Sequence, residues 1–491
     1  MAARAVPSSS RGSAPATCAD VAIAKLHEGG ISVCFANPGT TEMWMVSALE
    51  KQRGIRSILG LQEAVCTGAC DGYARMARQP ALALLHLGPG LGNGLCNLHN
   101  ARRAGSPVVV MVGDMATWHR AADPPLNQDI EALAGTVSAA LRAAPRGKAV
   151  LLLGGTALLE EGGALSTAGR IAASLGQTSV LTCGALSTAG RIAASLGAAL
   201  LCEPLPGRIE RGQGLPHATR LPYFPQEAAA ELAQYEVLLL LDVRRPVAGF
   251  GYKDGPSQLL KQGDDAIWEL DAAWSLPEAL QLLEAQLPGA AAVRPGVNCR
   301  GMFATPHRPA LPSGVLTAAA LCQAVAALQP AGTILVDESL TSGTAYWEAS
   351  KGCPPFSHLC LTGGAIGSGP PMATGAAVAA PGRQVINLQA DGSAMYTLQA
   401  LWTQAREQLK VLTIICANNT YAILKVEAMR QRTPGTSSGM TSLSGPAIDW
   451  VALATGMGVA AGRAETAEQL AALINQGLEQ AGPFLIHAAL K

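Results

Sequence analysis

Charge is scarce in this sequence. Only 14% of its 491 residues are Asp, Glu, Lys or Arg, and 35 acidic side chains balance 35 basic ones. With no net field, the composition excludes a chain that collects nucleic acid or acidic membrane by charge. Aromatics are few as well, at 4%. The longest apolar runs, "PVVVMV" and "VLLLLD", have strand length and fall far short of the ~20 residues a bilayer-crossing helix needs. The twelve cysteines include no CxxC pair, and several (Cys34, Cys66, Cys96, Cys416) lie in apolar runs, as free thiols of a reducing compartment do. There is no Walker A run and no GxSxG elbow, and the histidines show no metal-like spacing. The first seventeen residues carry Arg, Ser and Ala without acid, which reads as a disordered start to a cytoplasmic protein. A short organelle-targeting segment is the alternative.

What the sequence has in plenty is small and aliphatic: 49% hydrophobic residues and 54 glycines, a mix suited to helices packed closely on buried sheets. The length predicts two or three domains. A first block, 18–146, alternates strand-like and helix-like segments. In "ISVCFANPGTTE" a strand and turn lead to a helix opening on Thr40 or Thr41 as N-cap, with Glu42 in its first turn. "ALALLHLGPGLGNGLCNLHNARR" is a strand, a Gly-rich turn and a helix, and "PVVVMVGD" is a buried strand. A middle block, 147–293, begins at "KAVLLLGG". Residues 294–314, broken by Pro and Gly, form a linker, and 315–491 repeats the alternation. The expected fold is α/β, with three doubly wound parallel-sheet domains. The string "GALSTAGRIAASLG" occurs at 163–176 and again at 184–197, which predicts a surplus helix in the middle block rather than a solenoid.

The segment "NLQADGSAMYTLQALWTQAREQLKVLTIICANNTYAIL" (387–424) carries chemistry. A buried strand ends at Asp–Gly–Ser, a helix follows, and a second strand ends at Asn–Asn–Thr–Tyr. In a parallel sheet both ends lie at the carboxyl edge, where such sheets bind ligands, so Asp391 and Asn418 face one crevice. A carboxylate, an amide oxygen and a backbone carbonyl are hard ligands suited to Mg²⁺ shared with phosphates. Gly392 and Ser393 open a helix whose first N–H groups can receive those phosphates. Elsewhere, Glu63 stands in "ILGLQEAVCTGACDGYAR", where a charge among small and aliphatic residues needs a reason.

These motifs resemble the thiamine-diphosphate-dependent enzyme family, in particular its acetolactate synthase and benzoylformate decarboxylase branch. The resemblance spans most of the chain and is strongest at 30–115 and 330–425. It implies a pyrimidine-binding domain, a middle domain and a pyrophosphate-binding domain. It further implies that Asp391, Asn418 and the Thr420 carbonyl hold Mg²⁺, and that Gly392, Ser393 and Tyr421 line the cofactor. "LTGGAIGSG" corresponds to the loop under the bent cofactor, with the Gly364 carbonyl toward N4′ and Ile366 as its apolar prop. Glu63 occupies the place of the glutamate that bonds N1′ of the aminopyrimidine. Thr40 stands where the family has a serine, and His86 matches an active-site histidine; an ordinary histidine at a strand end is the other reading of that residue.

The implied reaction is C2-ylid attack on a 2-oxo acid with loss of CO₂, by a decarboxylase or a carboligase of the acetolactate synthase type, in a homodimer or homotetramer. A non-catalytic relative acting as a binding subunit is a further alternative. Four departures stand out. Ala390 replaces the motif's first glycine, which is tolerable if its φ is negative. "VAGFGYKDGPS" offers Phe250 and Tyr252 where benzoylformate decarboxylases have a second histidine. "DPPLNQDIEAL" lacks the Phe-Gln pair of acetolactate synthases. The first block also appears cut short after "LAGTVSAALRAAPRGKAVLLLGG", which predicts a lost strand, an exposed sheet edge and poor cofactor binding.

Overall fold

A computed structural model describes residues 16–141, 150–154, 183–196, 198–241, 243, 245–252, 255–270, 280, 284–285, 293, 301–431 and 438–491. The first sheet is fully parallel, built from β1 (Val33–Asn37), β2 (Arg56–Leu59), β3 (Ala81–Leu85), β4 (Val108–Val112) and β5 (Val150–Gly154) in the order β2-β1-β3-β4-β5. Both faces are covered, which is why its inner strands read as unbroken apolar runs. Cys34, Ala36, Leu82, Leu84, Val109 and Met111 face the helices Cys18–Glu28 and Met43–Lys51. Val33, Phe35, Ala83, Leu85, Val108 and Val110 face the helices Glu63–Ala77 and Leu87–Ala104. The two sets alternate by the strand period of two. The run "KAVLLLGG", read from sequence as the opening of the middle block, instead supplies β5, which pairs with β4 from Val108↔Val150 to Val112↔Gly154. An apolar strand cannot be assigned to a sheet by its composition, since it fits any buried edge.

Within the middle block, β6 (Leu201–Cys202) pairs in parallel with β8 (Thr219–Arg220), and β9 (Leu238–Leu241) with β10 (Ile267–Leu270). The second copy of the duplicated string lies in the helix Cys183–Leu196; the first copy lies outside the described residues. Part of the expected linker is pinned: Phe303 is buried and bridges to Pro216. The strand β7 (Ile209–Arg211) leaves the middle block and joins the third sheet.

That sheet adds β11 (Ile334–Glu338), β12 (Phe356–Cys360), β13 (Val385–Ala390), β14 (Val411–Ala417), β15 (Ala460–Ala464) and β16 (Phe484–Ala489), in the order β15-β16-β14-β13-β11-β12-β7. Every pairing is parallel except β7 on β12. Helices Ala318–Leu328 and Ala467–Glu479 cover one face through Leu321, Val325, Leu470 and Ile474. The helix Gly369–Ala379 lies on the other through Met372, Ala373 and Ala376.

The first and third domains are welded where the helix Glu63–Ala77 crosses Gly369–Ala379. A side chain on Gly72 would run into the Met372 carbonyl, one on Gly375 into the Ala69 carbonyl, and one on Gly68 into Pro371. Beside this crossing Arg75 donates from Nε to Asp71 Oδ1 at 2.8 Å and from Nη2 to Asp71 Oδ2 at 2.5 Å. Its Nη1 donates to the Cys360 carbonyl at 2.7 Å. Both side chains are almost wholly buried. Arg75→Met leaves Asp71 a buried carboxylate without its cation, and should lower the stability of the inter-domain unit by ~3–5 kcal/mol in urea unfolding. A loss below ~1 kcal/mol contradicts this account of the weld.

Candidate active site

Each sequence-selected residue lies just past the carboxyl end of a parallel strand. This is the edge where strand-end loops and helix N-termini converge in such sheets. In the first domain, Glu63 begins the helix Glu63–Ala77, whose cap is Gln62: its Oε1 accepts from the Val65 N–H at 3.2 Å. Because Gln62 performs the capping, the Glu63 carboxylate is free to turn inward. It is 9% exposed and accepts from Asn93 Nδ2 at 3.0 Å. A Cβ on Gly90 would sit 3.0 Å from Glu63 Oε1, so glycine leaves that side of the carboxylate open. Its neighbours Cys66 and Cys70 are buried free thiols that burial pushes up, and so stay protonated and apolar.

His86 follows β3 and precedes Leu87, whose φ of 54° is unusual for a bulky residue. Its Nδ1 lies 2.8 Å from Glu42 Oε2, leaving Nε2 as the nitrogen able to face a ligand. Glu42 is 2% exposed, receives the Gly39 N–H at 2.8 Å and the Thr41 hydroxyl at 2.5 Å, and sits where any side chain on Gly113 would collide with it. The expected N-cap is thereby corrected. Gly39, held by the Glu42 carboxylate, caps a short 3₁₀ turn Thr40–Glu42, and the helix proper starts at Met43. Thr40 is exposed on that turn. The Glu42 pairing escaped sequence reading because a glutamate three residues after a glycine signals only a helix start; its partner is 44 residues away.

In the third domain Asp391 is 3% exposed, and its two carboxylate oxygens accept the N–H groups of Gly392 at 2.8 Å and Asn419 at 2.7 Å. The strand ends of β13 and β14 are thus brought together, as the sequence spacing predicted. Burial pushes the Asp391 carboxyl above the usual carboxylate range, and its recorded neighbours are backbone N–H groups rather than cations. The Thr420 N–H donates to Asn418 Oδ1 at 3.0 Å, and Asn419 takes a φ of 53°, which asparagine tolerates. Ala390 has φ −72° and meets the condition set for replacing glycine. Gly392 is needed for close approach, since a Cβ there would enter the Tyr421 ring. Ser393 is buried, and its Oγ accepts from Gln389 Nε2 at 2.6 Å. Gly364 is exposed with φ 76°, and Ile366 is half-buried in the same loop. The helix Leu87–Ala104 holds that loop: His99 Nε2 is 3.1 Å from the Gly363 carbonyl, and Asn100 Nδ2 donates to the Ala365 carbonyl at 2.8 Å.

In the segment "VAGFGYKDGPS", which offers no histidine, Tyr252 donates its hydroxyl to Glu427 Oε1 at 2.7 Å, on the helix Ala422–Gln431 that follows the Asn418–Thr420 loop. Burial and this carboxylate push the phenol up to about 12. Among the described residues no cluster of three His, Cys, Asp or Glu side chains forms a metal site. A cation here would rest on one carboxylate, one amide and one backbone carbonyl, a hard-oxygen set that suits Mg²⁺ bound along with phosphates.

A strand-end carboxylate bonded to an asparagine loop and, in the other domain, a buried glutamate at a helix start with a glycine-lined approach are the features these strand ends present. Residues 16–133 match the N-terminal TPP binding domain of thiamine pyrophosphate enzymes, and residues 345–488 match the C-terminal TPP binding domain. The chain belongs to this family of thiamine-diphosphate-dependent enzymes, whose usual partner metal is Mg²⁺. It is 41% identical to the "Putative acetolactate synthase large subunit IlvX" of Mycobacterium tuberculosis, over 95% of this chain and 98% of that one. It is 28% identical to a benzoylformate decarboxylase of Pseudomonas aeruginosa, over 94% of this chain and 96% of that one. In fold it is similar to a thiamine diphosphate-dependent 4-hydroxybenzoylformate decarboxylase of Rhodococcus jostii, with TM-score 0.76, 23% identity and coverage of 97% and 100%.

Glu42→Ala removes the acceptor of the Gly39 N–H, the Thr41 hydroxyl and His86. It should cost ~1–3 kcal/mol in thermal unfolding, with Glu42→Gln losing less. Equal melting of all three proteins contradicts the role given to this carboxylate.

Proposed function

We propose that the chain is a 2-oxo acid decarboxylase or carboligase that requires thiamine diphosphate together with Mg²⁺. The observation that carries the reading is Glu63: a buried carboxylate with one amide partner and a glycine-open side, at the strand edge of the domain that matches the N-terminal cofactor-binding family. When bound, thiamine diphosphate supplies a thiazolium that acts as the electron sink for loss of CO₂ from a 2-oxo acid. Glu63 would hold the aminopyrimidine by a hydrogen bond and fix its tautomer. Asp391, Asn418 and the Thr420 carbonyl would hold the metal, the turn at Gly392 and Ser393 would lie against the phosphates, and Gly364 and Ile366 against the ring face. His86, oriented through Nδ1 by Glu42, would give or take a proton at Nε2 or meet the substrate carboxylate. Thr40, exposed on the adjoining turn, would approach the thiazolium side.

The relatives are named acetolactate synthase and benzoylformate decarboxylase, which supports both readings: capture of the product by a second oxo compound or by a proton. The domain assignment follows: a pyrimidine-binding unit from residue 18, a middle unit and a pyrophosphate-binding unit from about 315, with β5 added to the first. A homodimer or homotetramer also belongs to the reading. Among the described residues Glu63 and Asp391 share no hydrogen-bond partner, and Trp44, Tyr396 and Met440, beside the site segments, are 70%, 56% and 82% exposed.

CO₂ release from pyruvate, a branched-chain and an aromatic 2-oxo acid, with and without an acceptor aldehyde, tests the reading. At least one substrate should turn over only with the cofactor present. Glu63→Gln should lower kcat/KM at least ~100-fold, the range general acid–base groups supply, while the fold is kept. Unchanged turnover in that variant would sink the assignment.

A further inference from the structure

The loop Thr362–Ser368 and the turn Asp391–Ser393 follow different strands, yet one buried group reaches both. Glu338, the last residue of β11, is 1% exposed. Its Oε1 accepts the Gly367 N–H at 2.6 Å and its Oε2 the Gly369 N–H at 2.5 Å. Gln389 Nε2 lies 3.3 Å from Glu338 Oε2 and donates to Ser393 Oγ at 2.6 Å. Ser393 Oγ lies 3.2 Å from the Ala390 carbonyl, and the Thr397 hydroxyl donates to the Gly367 carbonyl at 2.8 Å. Pro370 and Pro371, at the start of the helix Gly369–Ala379, have no N–H, so the Gly369 N–H is what the first turn offers a carboxylate. A side chain on Gly369 would strike Gln389 Oε1 and lie 3.0 Å from both Asn387 Oδ1 and Glu338 Oε2. Three polar side chains therefore converge on one glycine behind the loop.

We propose that Glu338 is a positioning residue: through Gly367 and Gly369 on one side and Gln389–Ser393 on the other, it fixes the ring-facing loop and the phosphate-facing turn as one cradle. This rests on the reading that Gly364, Ile366, Asp391 and Ser393 hold the cofactor. The two segments must keep a set separation to meet the ring face and the phosphates of one ligand, and among the described residues no hydrogen bond other than these and that of Thr397 joins them. The donors to Glu338 are neutral, and burial pushes its carboxyl up to about 7. Among the described residues, Cys96 on the helix Leu87–Ala104 feels its charge, and the preceding residue Asp337 has its carboxylate 3.4 Å from His358. Both glycine N–H groups meet a carboxylate oxygen, and protonation takes up one of those acceptors while relieving the buried charge, so cofactor affinity should change as pH passes through about 7.

The test is fluorescence titration with thiamine diphosphate and Mg²⁺ at pH 6, 7 and 8, on the full chain, beside its apo melting temperature. In Glu338→Gln an amide NH₂ must face a backbone N–H, so affinity should fall at least tenfold at pH 8 and lose most of the pH dependence seen in the wild type. Gln389→Met, which cuts the link but keeps the loop's two bonds, should weaken binding about fivefold and serves if Glu338→Gln fails to fold. Wild-type affinity and wild-type pH dependence in either folded variant overturns the proposal. Absence of saturable binding in the wild type overturns the cofactor-site reading beneath it, and a loss of melting temperature with unchanged affinity reduces Glu338 to a structural role.

Discussion

Two helices cross in this protein with their backbones in contact, and the placing of the functional groups depends on that crossing. Gly68 and Gly72 on the helix Glu63–Ala77 and Gly375 on Gly369–Ala379 remove the side chains that would hold the axes apart. Glu63 is the first residue of one helix, and the Gly364–Ile366 loop leads into the first turn of the other. Setting the crossing therefore sets both helix starts, and the Asp71–Arg75 pair with its bond to the Cys360 carbonyl resists sliding. Small residues throughout the sequence are thus the means by which two sheets become one body, at the conformational cost glycine carries elsewhere.

Within that body three carboxylates near the site, unlike Glu63 with its side-chain amide partner, are supported by backbone N–H groups. Glu42 receives a backbone N–H and an imidazole, Glu338 two backbone N–H groups, and Asp391 two more. Among the described residues none of these is paired with Lys or Arg. Backbone donors hold a charge in place without neutralising it, which leaves Asp391 available to a cation and Glu42 able to steer His86. The scarcity of charge in the composition has this counterpart: Glu42, Glu338 and Asp391 stand at or just past strand ends, where main-chain N–H groups hold them, while the buried Asp71 is held by Arg75.

Much of the fold could be read from the sequence because it rests on local period. The strand–helix alternation around β3 and β4 and the span from Asp391 to Asn418 each follow from a pattern within about forty residues. What could not be read is non-local. Nothing in "KAVLLLGG" tells β5 which sheet to join, and nothing in "RIERG" announces that β7 will run antiparallel on β12. The Glu42–His86 contact, the Tyr252–Glu427 tie and the Glu338 clamp join segments tens to nearly two hundred residues apart, and single residue types carry no signal for them. The site residues were accessible only because motif spacing and resemblance converged on them.

The central claim is that Glu63 and the Asp391–Thr420 edge hold opposite ends of one thiamine diphosphate molecule. A crystal structure of the protein with thiamine diphosphate and Mg²⁺ tests it most directly. The account predicts the metal on Asp391, Asn418 and the Thr420 carbonyl, and the aminopyrimidine within hydrogen-bond distance of a Glu63 carboxylate supplied by a second copy of the chain. Diphosphate density away from the Asp391–Ser393 turn, or an aminopyrimidine out of reach of any Glu63, would contradict it.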